Sequence, residues 1–187
     1  MDFLEQIASY TPVCEQEQAE QAAMLAFARR FPDTVLSREN TIAHLTASGF
    51  IVNGARDKTL MIYHNLYRSW GWTGGHADGD GDLLRVALRE AKEETGVAAT
   101  PLAREIASLD ILPVFAHYKR GRYVHPHLHL CVSYLLVADE TQPPRANPAE
   151  NSGARWLPLD AIGAHCTEAH MLPVYEKLRQ KALRHAQ

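Results

Sequence analysis

One helix limits what this chain can become. Residues 82–95 carry both a start and a stop signal: Asp82 is placed to cap the first turn, and Gly96 followed by Val97 fits a left-handed C-terminal cap with its apolar partner. Between them Leu84, Ala87, Leu88 and Ala91 recur at the spacing of a buried stripe. On either side lie β-rich segments. Residues 42–52 and 59–64 are rich in strand formers and joined by the hairpin-like turn 53–58. Residues 106–118 and 123–137 read as a second long β pair around the basic turn Lys119-Arg120-Gly121-Arg122. A helix with one apolar face, set between strand pairs with theirs, predicts an α/β (α+β) chain built on a mixed sheet.

The rest of the chain fills in around this frame. Residues 1–31 read as helix, with Phe3, Leu4 and Ile7 on one face, a restart at Thr11-Pro12 and a stop at Phe31-Pro32. The stretch Gly71-Trp72-Thr73-Gly74-Gly75-His76 and its continuation to Gly81 read as a glycine-rich loop. Residues 141–153 carry Pro143, Pro144, Pro148 and Gly153 and are expected as loop. A short strand at 155–157, a helical turn at 159–162 and a closing helix at 172–185 follow. We expect a single domain over 1–187: an N-terminal helical extension at 1–38, a core at 40–163 and a C-terminal helix within 169–187.

The formal net charge of −3 is spread along the chain with no basic stripe, which argues against a general nucleic-acid binder. No apolar run approaches a membrane span, so no membrane partner is expected. The three cysteines, Cys14, Cys131 and Cys166, are far apart and form neither a disulfide framework nor a paired metal motif. With no basic, apolar leader at Met1–Gln6, a cytoplasmic location is the expectation.

The chemistry sits on the central helix. Glu90, Glu93 and Glu94 stand at i, i+3 and i+4 and share a face. That face lies roughly 130° around from the apolar stripe, at ~100° per residue, so the glutamates are expected to point away from the core. Like charges one turn apart repel and call for a counterion. Arg85 and Arg89 can supply it through helix salt bridges. A hard divalent cation held by carboxylate oxygens and water can supply it too, as magnesium prefers.

Gly75, then Arg89-Glu90-Ala91-x-Glu93-Glu94-x-Gly96-Val97, resembles the Nudix box, with looser similarity over about 42–160. The resemblance implies a mixed sheet sandwiched between helices, and a Mg2+-dependent hydrolase in which water attacks a phosphorus of a pyrophosphate. Mn2+ would be a possible substitute. The implied substrate is a small-molecule nucleoside diphosphate derivative. Glu90, Glu93, Glu94 and Gly75 fall where the family holds metal, with Arg89 as an orienting partner. Gly81 stands where the family usually has a glutamate, and Asp80 or Asp82 is placed to substitute. With Cys131, where relatives often have an acid, Gly81 motivates an alternative: a catalytically weakened nucleotide-binding module. An isopentenyl-diphosphate-type isomerase is a more distant relation, since its cysteine motif is missing.

Several residues outside the box are candidates. Glu150 precedes Arg155-Trp156 where relatives often carry a carboxylate that reaches the metal. His125, His127, His129 and Cys131 alternate along one strand and share a face, with Leu128, Leu130 and Val132 on the other. That face is expected to line the substrate cleft, with a zinc site as the lesser option. Trp70 and Trp72, with Tyr67, are expected either to stack on a nucleobase or to be buried aromatics, and Arg68, His76, His127, His129 and Arg122 to contact substrate. Pro113 leans the reading slightly towards ADP-sugars. Oligomeric state is left open, a homodimer included.

Overall fold

The computed structural model describes residues 2–119 and 121–185. Two helices lead in, α1 (Phe3–Ser9) and α2 (Glu15–Arg30). Asp2 caps α1 through a reciprocal bond pair with Glu5, and the restart falls at Cys14, three residues beyond Thr11. The strands β1 (Ala43–Val52), β2 (Lys58–His64), β3 (Ser69–Gly71) and β4 (Thr73–His76) come next, then α3 (Leu83–Thr95). After it run β5 (Ala99–Pro101), β6 (Ser108–Val114), β7 (His117–Lys119), β8 (Arg122–Val124), β9 (His127–Ala138) and β10 (Asn151–Pro158). The chain closes with a 3-10 turn, α4 (Ile162–His165), a second 3-10 turn and α5 (Leu172–Arg184).

The expected mixed sheet is present. Its order is β10-β2-β1-β9-β5, with β3 on β2, β4 on β1 and β6 on β9. β1 and β9 run parallel over their whole paired length, Ala43 opposite Leu128 through Val52 opposite Val137, while the other pairs are antiparallel. β7 and β8 form a separate hairpin. Arg120, expected in the basic turn, lies outside the described residues.

Two sequence expectations change here. Residues 71–76 are not a loop: they end β3 and form β4, which pairs antiparallel with β1 from Thr46–His76 to Gly49–Thr73. The glycines make this close pairing feasible, because a Cβ at Gly74 would sit 2.4 Å from the Ser48 Oγ. The loop expected over 141–153 ends earlier, since β10 begins at Asn151 and enters the sheet through a bulge before Ala154.

Alternation along β1 and β9 decides what each sheet face does. Ala43, Leu45, Ala47 and Ile51 of β1, with Leu130, Val132, Tyr134 and Leu136 of β9, join the core formed with α1, α2 and α3. On the opposite face Phe50, Val52 and Leu135 join the core under α5, with Tyr175 and Leu178. Each fully buried large apolar side chain contributes roughly 1.5–3 kcal/mol. Further along that second face, β1 and β9 carry polar side chains, and these open into a cleft.

The N-terminal helices dock through a buried ion network. Glu17, fully buried, accepts hydrogen bonds from Tyr10 Oη (2.7 Å), Val13 N (2.9 Å), Ser108 Oγ (3.1 Å) and Lys177 Nζ (3.2 Å). Lys177 also donates to Asp110 at 2.8 Å, and Lys181 Nζ lies 3.6 Å from Glu17. The network ties α2, β6 and α5 together.

Candidate active site

α3 forms as its sequence dictates. Asp82 accepts the backbone N–H of Arg85 at 3.0 Å, and Gly96 adopts the left-handed conformation (φ 71°) that ends the helix. The acidic face behaves differently from expectation. Glu90 and Glu94 are buried, at 9% and 4% exposure, and only Glu93 is exposed. The reason is β4, which lies against that face. Gly74 N–H donates to Glu94 Oε2 at 2.9 Å. A Cβ on Gly75 would stand 2.3 Å from the Glu90 carboxyl carbon, so the missing side chain is the space that carboxylate fills.

Arg89 is the cation within ion-pair reach of the helix carboxylates among the described residues. Its Nη2 donates to Glu90 Oε1 at 2.8 Å and to the His76 carbonyl at 3.4 Å, and its Nε lies 3.9 Å from Glu93. Arg85 turns away to Asp80, at 2.7 and 3.0 Å. Neither aspartate therefore stands in for the absent glutamate: Asp80 holds Arg85 and Asp82 caps the helix. A Cβ on Gly81 would meet the Phe3 ring at 3.8 Å, an ordinary van der Waals contact.

Glu150 joins this group through the loop before β10. Arg145 N–H donates to the Thr95 carbonyl at 2.7 Å, Asn151 Nδ2 donates to the Glu94 carbonyl at 3.0 Å, and Asn147 N–H donates to Asn151 Oδ1 at 3.2 Å. These bonds fasten the loop to the end of α3. Glu90, Glu93, Glu94 and Glu150 thus line one open cleft of about 1130 Å³. Burial pushes the Glu94 carboxyl up to about 8, against the Gly74 hydrogen bond and with help from the charges of Glu90, Glu150 and Glu93. Burial also raises Glu90, offset in part by Arg89.

Another part of the lining is imidazole. His44, His76, His127 and His129 form it, with ring centroids 5.0–5.3 Å apart along the His44–His76, His44–His127, His44–His129, His76–His129 and His127–His129 contacts. Cys131 lies beneath them, its thiol held at about 11 by burial and within reach of Ser48 Oγ at 3.3 Å. It is a neutral thiol, unsuited to nucleophilic attack.

Among the expected substrate contacts, Trp72, His76, His127 and His129 line the cleft, as does Tyr67. Trp70, Arg68 and Arg122 are not in its wall. The Trp70 ring is taken up by the Arg155 guanidinium at 4.2 Å and by Tyr63. Arg68 occupies a left-handed turn position (φ 52°) between β2 and β3. Arg122 is exposed near the tip of the β7–β8 hairpin, which instead presents Tyr118, Lys119 and Tyr123 to the cleft. The sequence reading missed Arg38, whose Nε donates to Asp78 at 2.8 Å, and His44. Neither lies in a motif; only the fold brings them here.

A family model of the NUDIX domain matches residues 43–178. The chain belongs to the Nudix hydrolase family and is a Nudix-type pyrophosphohydrolase. No curated protein matches it. Among solved structures it is similar to the NUDIX domain of Shewanella oneidensis NrtR complexed with ADP ribose, at 18% identity, covering 82% of this chain and 97% of that one, with a TM-score of 0.54. A C. elegans Ap4A hydrolase in a binary complex matches at 17% identity, covering 75% and 98%, with a TM-score of 0.52. A NUDIX-family hydrolase from Clostridium perfringens matches at 22% identity, covering 74% and 97%, with a TM-score of 0.50. These likenesses carry the fold. Among the described residues, no helix is long and apolar enough to cross a membrane.

Proposed function

We propose that the cleft hydrolyses a pyrophosphate bond in a nucleoside diphosphate-linked small molecule, with Mg2+ held by Glu90, Glu93 and Glu94 beside the Gly75 backbone. One observation carries this reading. Glu90, Glu93, Glu94 and Glu150 converge on one cleft while Arg89 is the cation paired with them among the described residues. A deep, oxygen-rich and under-neutralised donor set suits a hard cation. Mn2+ is expected to substitute.

When bound, the ion neutralises charge on the phosphoryl oxygens and lowers the pKa of the attacking water. The chain's own residues do the positioning. The Gly74 N–H fixes one oxygen of Glu94, and Arg89 anchors Glu90 against the His76 carbonyl. Glu93, exposed on the helix, and Glu150, on the tethered loop, are the groups placed to take the proton of the attacking water. Trp72 and Tyr67 offer aromatic faces for a nucleobase, and Lys119 a charge for phosphate. We favour an ADP-sugar-type substrate. Pro113, which sits on β6 opposite Leu128, and the ADP ribose complex formed by a similar fold support that preference.

The test is hydrolysis of a panel by the pure chain with and without Mg2+: ADP-ribose, other sugar nucleotides, dinucleoside polyphosphates, coenzyme A and nucleoside triphosphates. We expect magnesium-dependent turnover with ADP-ribose among the best substrates, lost in a Glu93→Gln, Glu94→Gln double variant. Turnover no greater than that variant's would overturn the reading. Magnesium-independent thermal stabilisation by ligand, without product, would point to the binding-module alternative.

A further inference from the structure

We propose that His44, His127 and His129 form a second cation site in the cleft, built for a borderline transition-metal ion such as Zn2+. The proposal stands apart from the carboxylate site and does not need it.

The fold makes the cluster. Parallel pairing sets His44 of β1 opposite His129 of β9, and His127 follows on the same face two residues away. One nitrogen from each ring lies within 4.8 Å of the others. Bonds of ~2.0–2.1 Å to a tetrahedral ion would place those atoms about 3.4 Å apart, so closure needs small side-chain rotations.

The second observation is the way the rings are wired. His44 Nδ1 faces the Asn40 carbonyl at 2.9 Å, and His127 Nδ1 faces the His125 carbonyl at 3.0 Å. A carbonyl oxygen only accepts, so Nδ1 carries the proton and donates in both. In the neutral ring Nε2 is then the nitrogen left with a lone pair. This is the arrangement by which a backbone carbonyl orients a metal-binding imidazole.

The third observation is what those lone pairs meet. The Nε2 atoms of His44 and His129 are buried and have no hydrogen-bond partner among the described residues. His44 as a whole is 3% exposed. Buried polar atoms are normally satisfied, and leaving one without a partner is unfavourable. Two of the three rings thus carry a buried nitrogen that no group of the described residues satisfies, beside a third ring nitrogen from His127. Imidazole suits zinc and its neighbours, whereas magnesium prefers carboxylate oxygens. Three protein donors leave a fourth position open to the cleft, for water or a phosphoryl oxygen.

The experiment uses the whole chain after chelator treatment. Zn2+ is titrated calorimetrically, and Co2+ is followed by its visible absorption, whose intensity distinguishes tetrahedral nitrogen ligation from an octahedral oxygen site. We expect one equivalent of Zn2+ and an intense Co2+ spectrum. His127→Ala and His129→Gln should each weaken binding at least about tenfold, while Glu90→Gln with Glu94→Gln should leave it within about threefold. His127 is partly exposed, so its variant keeps the test valid should His129→Gln fail to fold. Weak octahedral Co2+ absorption, Zn2+ affinity unchanged in His127→Ala, or affinity lost only in the glutamate variant would each overturn the proposal.

Discussion

Two regions of this molecule bury carboxylates, and they do it in opposite ways. Around Glu17 every charge is answered: Lys177 bridges Glu17 and Asp110, Lys181 stands nearby, and Tyr10, Val13 and Ser108 donate hydrogen bonds. Around Glu94 the charge is left over. Glu94 receives the Gly74 N–H, while Arg89 serves Glu90 and, at longer range, Glu93. Removing a charge from water is costly unless partners replace the water. The first region meets that requirement with its own side chains and so joins the helices to the sheet. The second does not: burial drives Glu94 towards its neutral form, and the proposed Mg2+ would supply the missing positive charge.

The contrast breaks or sharpens on four measurements. The largest effect belongs to Glu94→Gln. Magnesium-dependent turnover should fall roughly a thousand-fold, the several kcal/mol that metal stabilisation of a phosphoryl transition state is worth. Thermal unfolding in chelator should be unchanged or raised, because the amide keeps the shape of a carboxyl that burial already drives towards its neutral form. A clear loss of metal-free stability would mean that Glu94 is structural after all.

Glu17→Ala should do the reverse. It removes the buried carboxylate that Lys177 and Lys181 share, leaving Asp110 as the carboxylate paired with Lys177, and should cost about 3–5 kcal/mol in denaturant unfolding, with little change in turnover per folded molecule. Unaltered stability would remove the basis of the comparison.

Gly75→Ala comes next. Its Cβ would overlap the Glu90 carboxylate, which must then swing away from its place beside β4. Turnover should drop roughly 10- to 100-fold, with about 1–3 kcal/mol of destabilisation from overpacking. Steady-state kinetics with unfolding curves separate the two effects. Near-normal kcat/KM would show that Glu90 is not needed in that position.

The smallest effect is a pH slope. Burial raises the Glu17 pKa, but the Val13 and Tyr10 hydrogen bonds and the two lysines outweigh it and hold the carboxyl below its ordinary 4.5. A folded-state pKa below the unfolded one gives stability that is full above the unfolded value and is lost as pH falls through the folded one. The wild type should therefore lose stability more steeply below about pH 4.5 than Glu17→Gln does. Equal slopes in acid unfolding would refute the assignment.

The sequence made local elements legible where local rules suffice. The caps at Asp82 and Gly96 and the β1–β2 hairpin follow from capping and turn rules that act within a few residues, whereas the expected long pair of 106–118 with 123–137 divides into β6–β9 and a separate β7–β8 hairpin. It failed where a second segment decides. The angle between the acidic face and the apolar stripe of α3 is a property of the helix alone, so it could not show β4 closing over Glu90 and Glu94. Residues 71–76 looked like loop because glycine has poor strand propensity. In the fold, close approach to Ser48 and Glu90 outweighs propensity. Trp70 read as a stacking face for a base, and Arg155, distant in sequence, occupies that face instead.

By its order of residues alone, this chain fixed its helix, its strand pairs and the spacing of Glu90, Glu93 and Glu94, because each depends on neighbours along the backbone. Tertiary structure decided which carboxylates are buried, that Glu150 reaches them, and that His44 meets His127 and His129. Those outcomes depend on which strand lies beside which, and in what register. Parallel pairing of β1 with β9 joins segments far apart in the chain, a choice made by burying the whole sheet at once and written in no single stretch of sequence.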